Sequence, residues 1–202
     1  MPLITFDEIH AAGRQRYAKR FATKTAASIL EEDTKRCPMD HSFDVFLSHS
    51  YSDVKLDRKH LLDLKAYLED FQLEVYVDWI IDNDLERETV SAKTAQTLRI
   101  RMNNSRCLLF ATSDNSQNSK WMPWELGYMD GRIQRVAILP LTGTTNKMSF
   151  TGQEYLRVYP YLAASEANNS TDVYLWVCNN RNTYVRFDLW LNGQNPTKRI
   201  DS

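Results

Sequence analysis

Four short apolar segments, alternating with stretches of helical periodicity, constrain this chain of 202 residues more than any other feature. The first is Phe43-Asp44-Val45-Phe46-Leu47-Ser48. The second covers 73–81 and is rich in β-branched and aromatic residues. Cys107-Leu108-Leu109-Phe110-Ala111 and Val136-Ala137-Ile138-Leu139-Pro140-Leu141 are the third and fourth. An apolar run without polar interruptions is what a strand buried on both faces requires, as in the middle of a parallel sheet. Between these segments Leu61, Leu64 and Leu68 recur at helical spacing, and Val90, Thr94, Leu98 and Met102 form a second stripe. A Trp-rich helix is predicted from Lys120 to Gly131. Strand and helix in alternation pack as an α/β layer structure, with parallel strands and right-handed crossovers that place helices on both faces.

The flanks read differently. Residues 1–41 are polar and helix-prone, with local positive charge from Arg14, Arg16, Lys19, Arg20 and Lys24 before Pro38 breaks the pattern. This predicts an N-terminal helical arm and linker, with the basic residues forming a solvated face. Residues 155–162 read as a short helix interrupted by Pro160, and 164–171 as a polar loop. Residues 172–178 and 183–191 flank Asn179-Asn180-Arg181-Asn182 and predict a β-hairpin. The expected organisation is therefore an arm over 1–41, an α/β domain over 42–162 and a C-terminal hairpin extension with a loose tail over 163–202.

Composition removes several function classes. With 25 Lys+Arg against 26 Asp+Glu the chain lacks the strong positive charge expected of a nucleic-acid or anionic-membrane binder. Its apolar runs fall far short of the ~20 residues needed to span a bilayer, and the N-terminus has no secretory pattern. Cys37, Cys107 and Cys178 are three and far apart, so they predict neither a disulfide framework nor a zinc knuckle. A cytoplasmic protein is expected. No glycine loop for a dinucleotide or triphosphate is present, and no His-x-x-x-His or Cys-x-x-Cys, so neither a nucleotide cofactor held that way nor a metal site is expected. Ser48, His49 and Asp53 lie close together, but in an order that matches no nucleophile elbow.

What remains is the loop region after each strand, since ligands of such sheets bind outside the carboxyl ends of the strands. Those regions hold Ser48, His49, Asp78 and the polar stretch 114–120. Trp121 and Glu125 stand at i and i+4 near the start of the next helix, hence on one face. An indole beside a carboxylate can stack on a ring and hold sugar hydroxyls. On spacing alone, Trp121 reads equally well as an ordinary packing residue.

Three of these strings resemble TIR domains, in the order that family has them. Phe43-Asp44-Val45-Phe46-Leu47-Ser48-His49-Ser50 resembles the first strand and loop, and Val75-Tyr76-Val77-Asp78-Trp79 the second strand. Ser119-Lys120-Trp121-Met122-Pro123-Trp124-Glu125-Leu126-Gly127-Tyr128 resembles the helix that bears the family's catalytic glutamate. The likeness covers roughly 42–141 and is greatest to bacterial single-TIR proteins of antiphage defence, the Thoeris-type sensors. It implies a flavodoxin-like parallel sheet and an enzyme that cleaves the nicotinamide–ribose bond of NAD⁺, with NAD⁺ as substrate and no separate cofactor. It also implies TIR–TIR self-association, a phage-derived trigger and a downstream effector. By position, Glu125 matches the catalytic glutamate and Trp121 its partner. Ser48 and His49 match the loop bordering the substrate, and Asp78 the acidic strand end near the nicotinamide. Eukaryotic NAD⁺-cleaving relatives carry basic residues after the first strand. This chain has Ser50 and Tyr51 there, leaving Arg87 or Lys120 to meet the diphosphate. A TIR domain of another class, an adaptor that self-associates without catalysis, shares the fold but has no need of the Trp121/Glu125 pair.

Overall fold

The computed structural model describes residues 1–21, 37–82, 91–112, 119–143, 154–167 and 170–198. Parallel strands β1 (Phe43–Ser48), β2 (Val75–Tyr76), β3 (Ser105–Thr112), β4 (Val136–Pro140) and β5 (Tyr161–Glu166) stand in the order β2-β1-β3-β4-β5. Strands β6 (Val173–Asn180), β7 (Thr183–Arg186) and β8 (Thr197–Lys198) continue the same sheet antiparallel beyond β5. The order 2-1-3-4-5 is that of the flavodoxin-like fold. Helices α1 (Phe6–Phe21), α2 (Tyr51–Glu69), α3 (Asp78–Ile81), α4 (Ala92–Asn103), α5 (Trp121–Ile133) and α6 (Phe187–Leu191) complete the layers.

The apolar runs are the centre of the sheet. Leu108, Leu109 and Ala137 through Leu139 are fully buried, and Cys107 and Cys178 lie among them. Burial pushes the Cys178 thiol up to about 12, so it behaves as a small apolar side chain. Among the described residues no helix is long and apolar enough to cross a membrane.

Residues 1–5 are inserted into this architecture. Thr5 bridges Thr142 in parallel, with Phe6 N–H donating to the Thr142 carbonyl at 3.0 Å and Thr142 N–H to that of Ile4 at 3.1 Å. Leu3, Ile4 and Ile9 are buried in the main core. Helix α1 starts with a capping box: the Thr5 hydroxyl accepts from Glu8 N–H at 3.2 Å, and the Glu8 carboxylate accepts from Thr5 N–H at 2.7 Å. The helix lies along α2, where Arg16 pairs with Glu69 at 2.8 Å, so part of the expected solvated basic face is an inter-helix contact.

The expected loose tail carries β8, paired to β7, and the expected polar loop 164–171 begins inside β5, which runs to Glu166; three further elements differ from their sequence reading. Only Val75–Tyr76 of the 73–81 run is strand. After it Ile80 and Ile81 donate to the Val77 carbonyl and the chain turns into α3, so Asp78 starts a helix and is not a strand end. The segment expected as one helix splits at Pro160 into a 3-10 turn, Glu154–Val158, and β5. Pro160 cannot donate to continue a helix, while its carbonyl accepts from Ile138 N–H at 2.8 Å and starts the strand. The second arm of the hairpin is strand only to Arg186, beyond which Phe187 and Trp190, both buried, fold it into α6.

Candidate active site

In the order 2-1-3-4-5 the connections from β1 and β3 leave in opposite directions, which opens a crevice at their carboxyl ends. Ser48 is the last residue of β1 and pairs with Phe110 near the end of β3. Past residues 113–118 the chain enters α5, whose first turn is anchored by Met122 N–H donating to the Ser119 hydroxyl at 3.2 Å. This geometry aims Glu125 back at β1. Ser48 Oγ donates to Glu125 Oε2 at 2.6 Å, and both side chains are buried.

His49 follows Ser48, and in an extended chain successive side chains point to opposite sides. Its Nδ1 lies 3.1 Å from the Leu47 carbonyl, which can only accept, so that nitrogen carries a proton. Its Nε2 lies 3.3 Å from Asp78 Oδ1 across the β1–α3 seam. The other anchor of that carboxylate is local: Asp78 Oδ1 accepts from Trp79 N–H at 2.8 Å. Two adjacent residues at the end of β1 thus join two acidic groups, one from the helix after β3 and one from the turn after β2.

Trp121 sits one helical turn before Glu125 and is buried, with its ring edge-on to Trp124 at 5.5 Å. Trp124 in turn stacks on Tyr128 at 5.9 Å and carries the Arg99 guanidinium 5.4 Å from its ring centre. Trp121 is thus a packed side chain. Lys120 is exposed at the start of α5, and Arg87 lies outside the described residues. The structure brings together Ser48 with Glu125 and His49 with Asp78. Among the described residues no group of three or more His, Cys, Asp or Glu side chains is arranged to hold a metal ion.

Sequence reasoning missed one buried ion pair. Arg101, on α4, is 2% exposed and holds Asp82 with two parallel bonds, Nε to Oδ2 at 2.9 Å and one terminal nitrogen to Oδ1 at 2.8 Å. The available signal was an arginine directly before Met102 on the apolar stripe of that helix. Burial alone would push the guanidinium down, but the Asp82 carboxylate more than offsets this and holds it above its ordinary value.

A flavodoxin-like sheet with a buried glutamate on the helix after β3, held by the end of β1, defines a TIR-type α/β protein. No family model matches the chain. It is 46% identical over 168 residues to a Bacillus cereus (strain MSX-D12) protein named "Probable 3' cyclic ADP-D-ribose synthase ThsB'", covering 83% of this chain and 85% of that one. A Cytobacillus dafuensis protein named "Putative cyclic ADP-D-ribose synthase TIR2" is 39% identical over 87 residues, 43% of this chain and 22% of that protein. The chain belongs to the bacterial, Thoeris-like TIR proteins.

Proposed function

We propose that the chain cleaves the nicotinamide–ribose bond of NAD⁺ and closes the ADP-ribosyl unit into a cyclic ADP-ribose signal. The observation that carries this reading is Glu125, fully buried at the switch crevice and oriented by Ser48. The names of both relatives support it, since each refers to cyclic ADP-D-ribose synthesis.

One carboxylate meets the chemical need. Glycosidases ordinarily use two, one of which protonates the leaving oxygen. Nicotinamide departs as a neutral ring from a cationic one, taking the electron pair of the C–N bond, so no general acid is required. Positive charge develops on the ribosyl ring, and a carboxylate fixed against it in a site shielded from water stabilises that charge strongly. Ser48 holds Glu125 in place before the charge appears. Trp121 supplies a flat apolar surface for the sugar, His49 and Asp78 border the nicotinamide side, and Lys120 or Arg87 meets the diphosphate. Capture of the ribosyl carbon by a hydroxyl of the same molecule forms the cyclic product and releases that hydroxyl's proton, which Glu125 is placed to accept. Capture by water gives linear ADP-ribose.

In this reading NAD⁺ is substrate, no separate cofactor takes part, and the protein works in the cytoplasm in antiphage defence. Self-association, a phage-derived trigger and a downstream effector that reads the cyclic nucleotide complete the scheme. The test is incubation of the purified chain with NAD⁺, with nicotinamide, linear ADP-ribose and the cyclic isomers resolved by chromatography and mass spectrometry. Nicotinamide release that disappears in Glu125→Gln supports the enzyme. Absence of turnover at every protein concentration, with self-association intact, would leave the adaptor reading in its place.

A further inference from the structure

The α3 turn is too short to fix its own direction: it has four residues, Asp78–Ile81, and no side-chain cap at Val77. Ile80 and Ile81 anchor it in the core, and its first residue faces His49. Its far end ties back internally, with Asp82 N–H donating to the Asp78 carbonyl at 2.7 Å. Asp82 is then gripped from α4. Arg101 approaches its carboxylate fork to fork, and the Tyr76 hydroxyl donates to Asp82 Oδ2 at 2.8 Å.

The remaining donors of Arg101 reach the linker before β1, bonding the Pro38 carbonyl at 2.7 Å and the Cys37 carbonyl at 3.1 Å. Its guanidinium lies 5.6 Å from the centre of the Tyr76 ring and 5.9 Å from that of Phe43. Tyr76 in turn stacks on Phe46 at 5.0 Å, two residues before Ser48 on β1. One buried side chain therefore references α3 to β1, β2 and the linker together. An apolar side chain could fill the same volume, but it would bring no direction. Fixed orientation is the best-attested use of a buried ion pair.

We infer that Arg101 is a positioning residue for the crevice: by clamping Asp82 it sets α3, and through α3 it places Asp78 against His49. The consequence for turnover rests on the proposed NAD⁺ reaction, whereas the consequence for His49 does not. Lysine keeps the charge but cannot reproduce the planar fork, so Arg101→Lys releases α3 while retaining a buried cation. Asp82→Asn breaks the pair from the other side. Tyr76→Phe removes only the hydroxyl bond and keeps the ring in its stack.

The experiment reads the imidazole resonances of ¹⁵N,¹³C-histidine-labelled protein by NMR, with the His49 signal assigned by its loss in His49→Gln. Arg101→Lys and Asp82→Asn are expected to move the His49 signal and leave His10 and His60, on the α1–α2 seam, in place. Tyr76→Phe should move it the same way by less, and it keeps the question open to measurement if the stronger variants do not fold. In the NAD⁺ assay KM should rise on the order of tenfold with kcat changed far less, because Ser48 and Glu125 keep their contact. The double variant Arg101→Lys/Asp82→Asn should move the signal no further than the larger single change. An unmoved His49 signal in all folded variants overturns the inference. So does a joint displacement of His10, His49 and His60, which would make Arg101 a general support of the fold. A His49 shift in a protein without NAD⁺ turnover upholds the positioning role and overturns only the proposed reaction.

Discussion

Two buried carboxylates stand in opposite surroundings. Asp63, on α2, is 1% exposed, and its Oδ2 lies 2.6 Å from both His10 Nδ1 on α1 and Lys59 Nζ. Gly13 of α1 comes so close that a Cβ there would lie 1.8 Å from Asp63 Oδ1. Glu125, at 0% exposure, is instead met by the Ser48 hydroxyl at the carboxyl ends of β1 and β3. The first carboxylate is met by His10 and Lys59 in a seam between two helices. The second stands where the topology of a parallel sheet opens a crevice. Burial alone does not separate the two. Position relative to the switch point and the nature of the facing groups do.

The largest effect separating the two is expected from Glu125→Gln. The exchange is nearly isosteric and leaves an oxygen to accept from Ser48, so Tm should hold. Removing the charge should lower nicotinamide release by about 1,000-fold, the upper end of what loss of one preorganised electrostatic group costs. Wild-type-like release would put Glu125 in the same class as Asp63. Trp121→Ala comes next. Misplacing the sugar should cost on the order of 100-fold in rate, beyond any loss of stability from removing a packed indole. A variant that melts early but keeps its rate in the cold would reduce Trp121 to helix packing.

Gly13→Ala tests the other carboxylate. The new methyl group must displace Asp63 or separate the helices, and overpacking of this kind costs roughly 1–3 kcal/mol, or on the order of 5 °C in Tm for a chain of this size. The rate per folded molecule should stay unchanged, as measured by thermal unfolding beside the NAD⁺ assay below the transition. An equal fall in rate would mean that the α1–α2 seam also governs the crevice. The smallest effect concerns association. If protomers complete each other's sites, the specific rate rises severalfold from dilute to concentrated protein at saturating NAD⁺, since the competent state forms by mass action. A flat rate would confine the site to one chain. Of the acidic stretch 82–88 only Asp82 lies within the described residues, and Arg101 holds it inward.

The sequence by itself determined the parallel strands β1 to β4 and the residues worth testing. Apolar runs such as 107–111 cannot be exposed, and their alternation with amphipathic stretches admits few packings, so the parallel layer with its carboxyl-end crevice was legible before any coordinates. Ser48, His49, Asp78, Trp121 and Glu125 were legible through the TIR-like motifs that contain them. What only the tertiary structure decided is who touches whom. Nothing in the sequence states that Ser48 turns to α5 and His49 to α3, because that depends on where β1 ends relative to two helices that follow other strands. Nor does it state that Asp78 begins a helix, since Ile80 and Ile81 favour a strand locally and are overruled by burial against the core. Arg101 was invisible for the same reason. Its partners lie 19, 25 and 63 positions away, at Asp82, Tyr76 and Pro38, and an arginine on a helix reads as solvated until the fold encloses it.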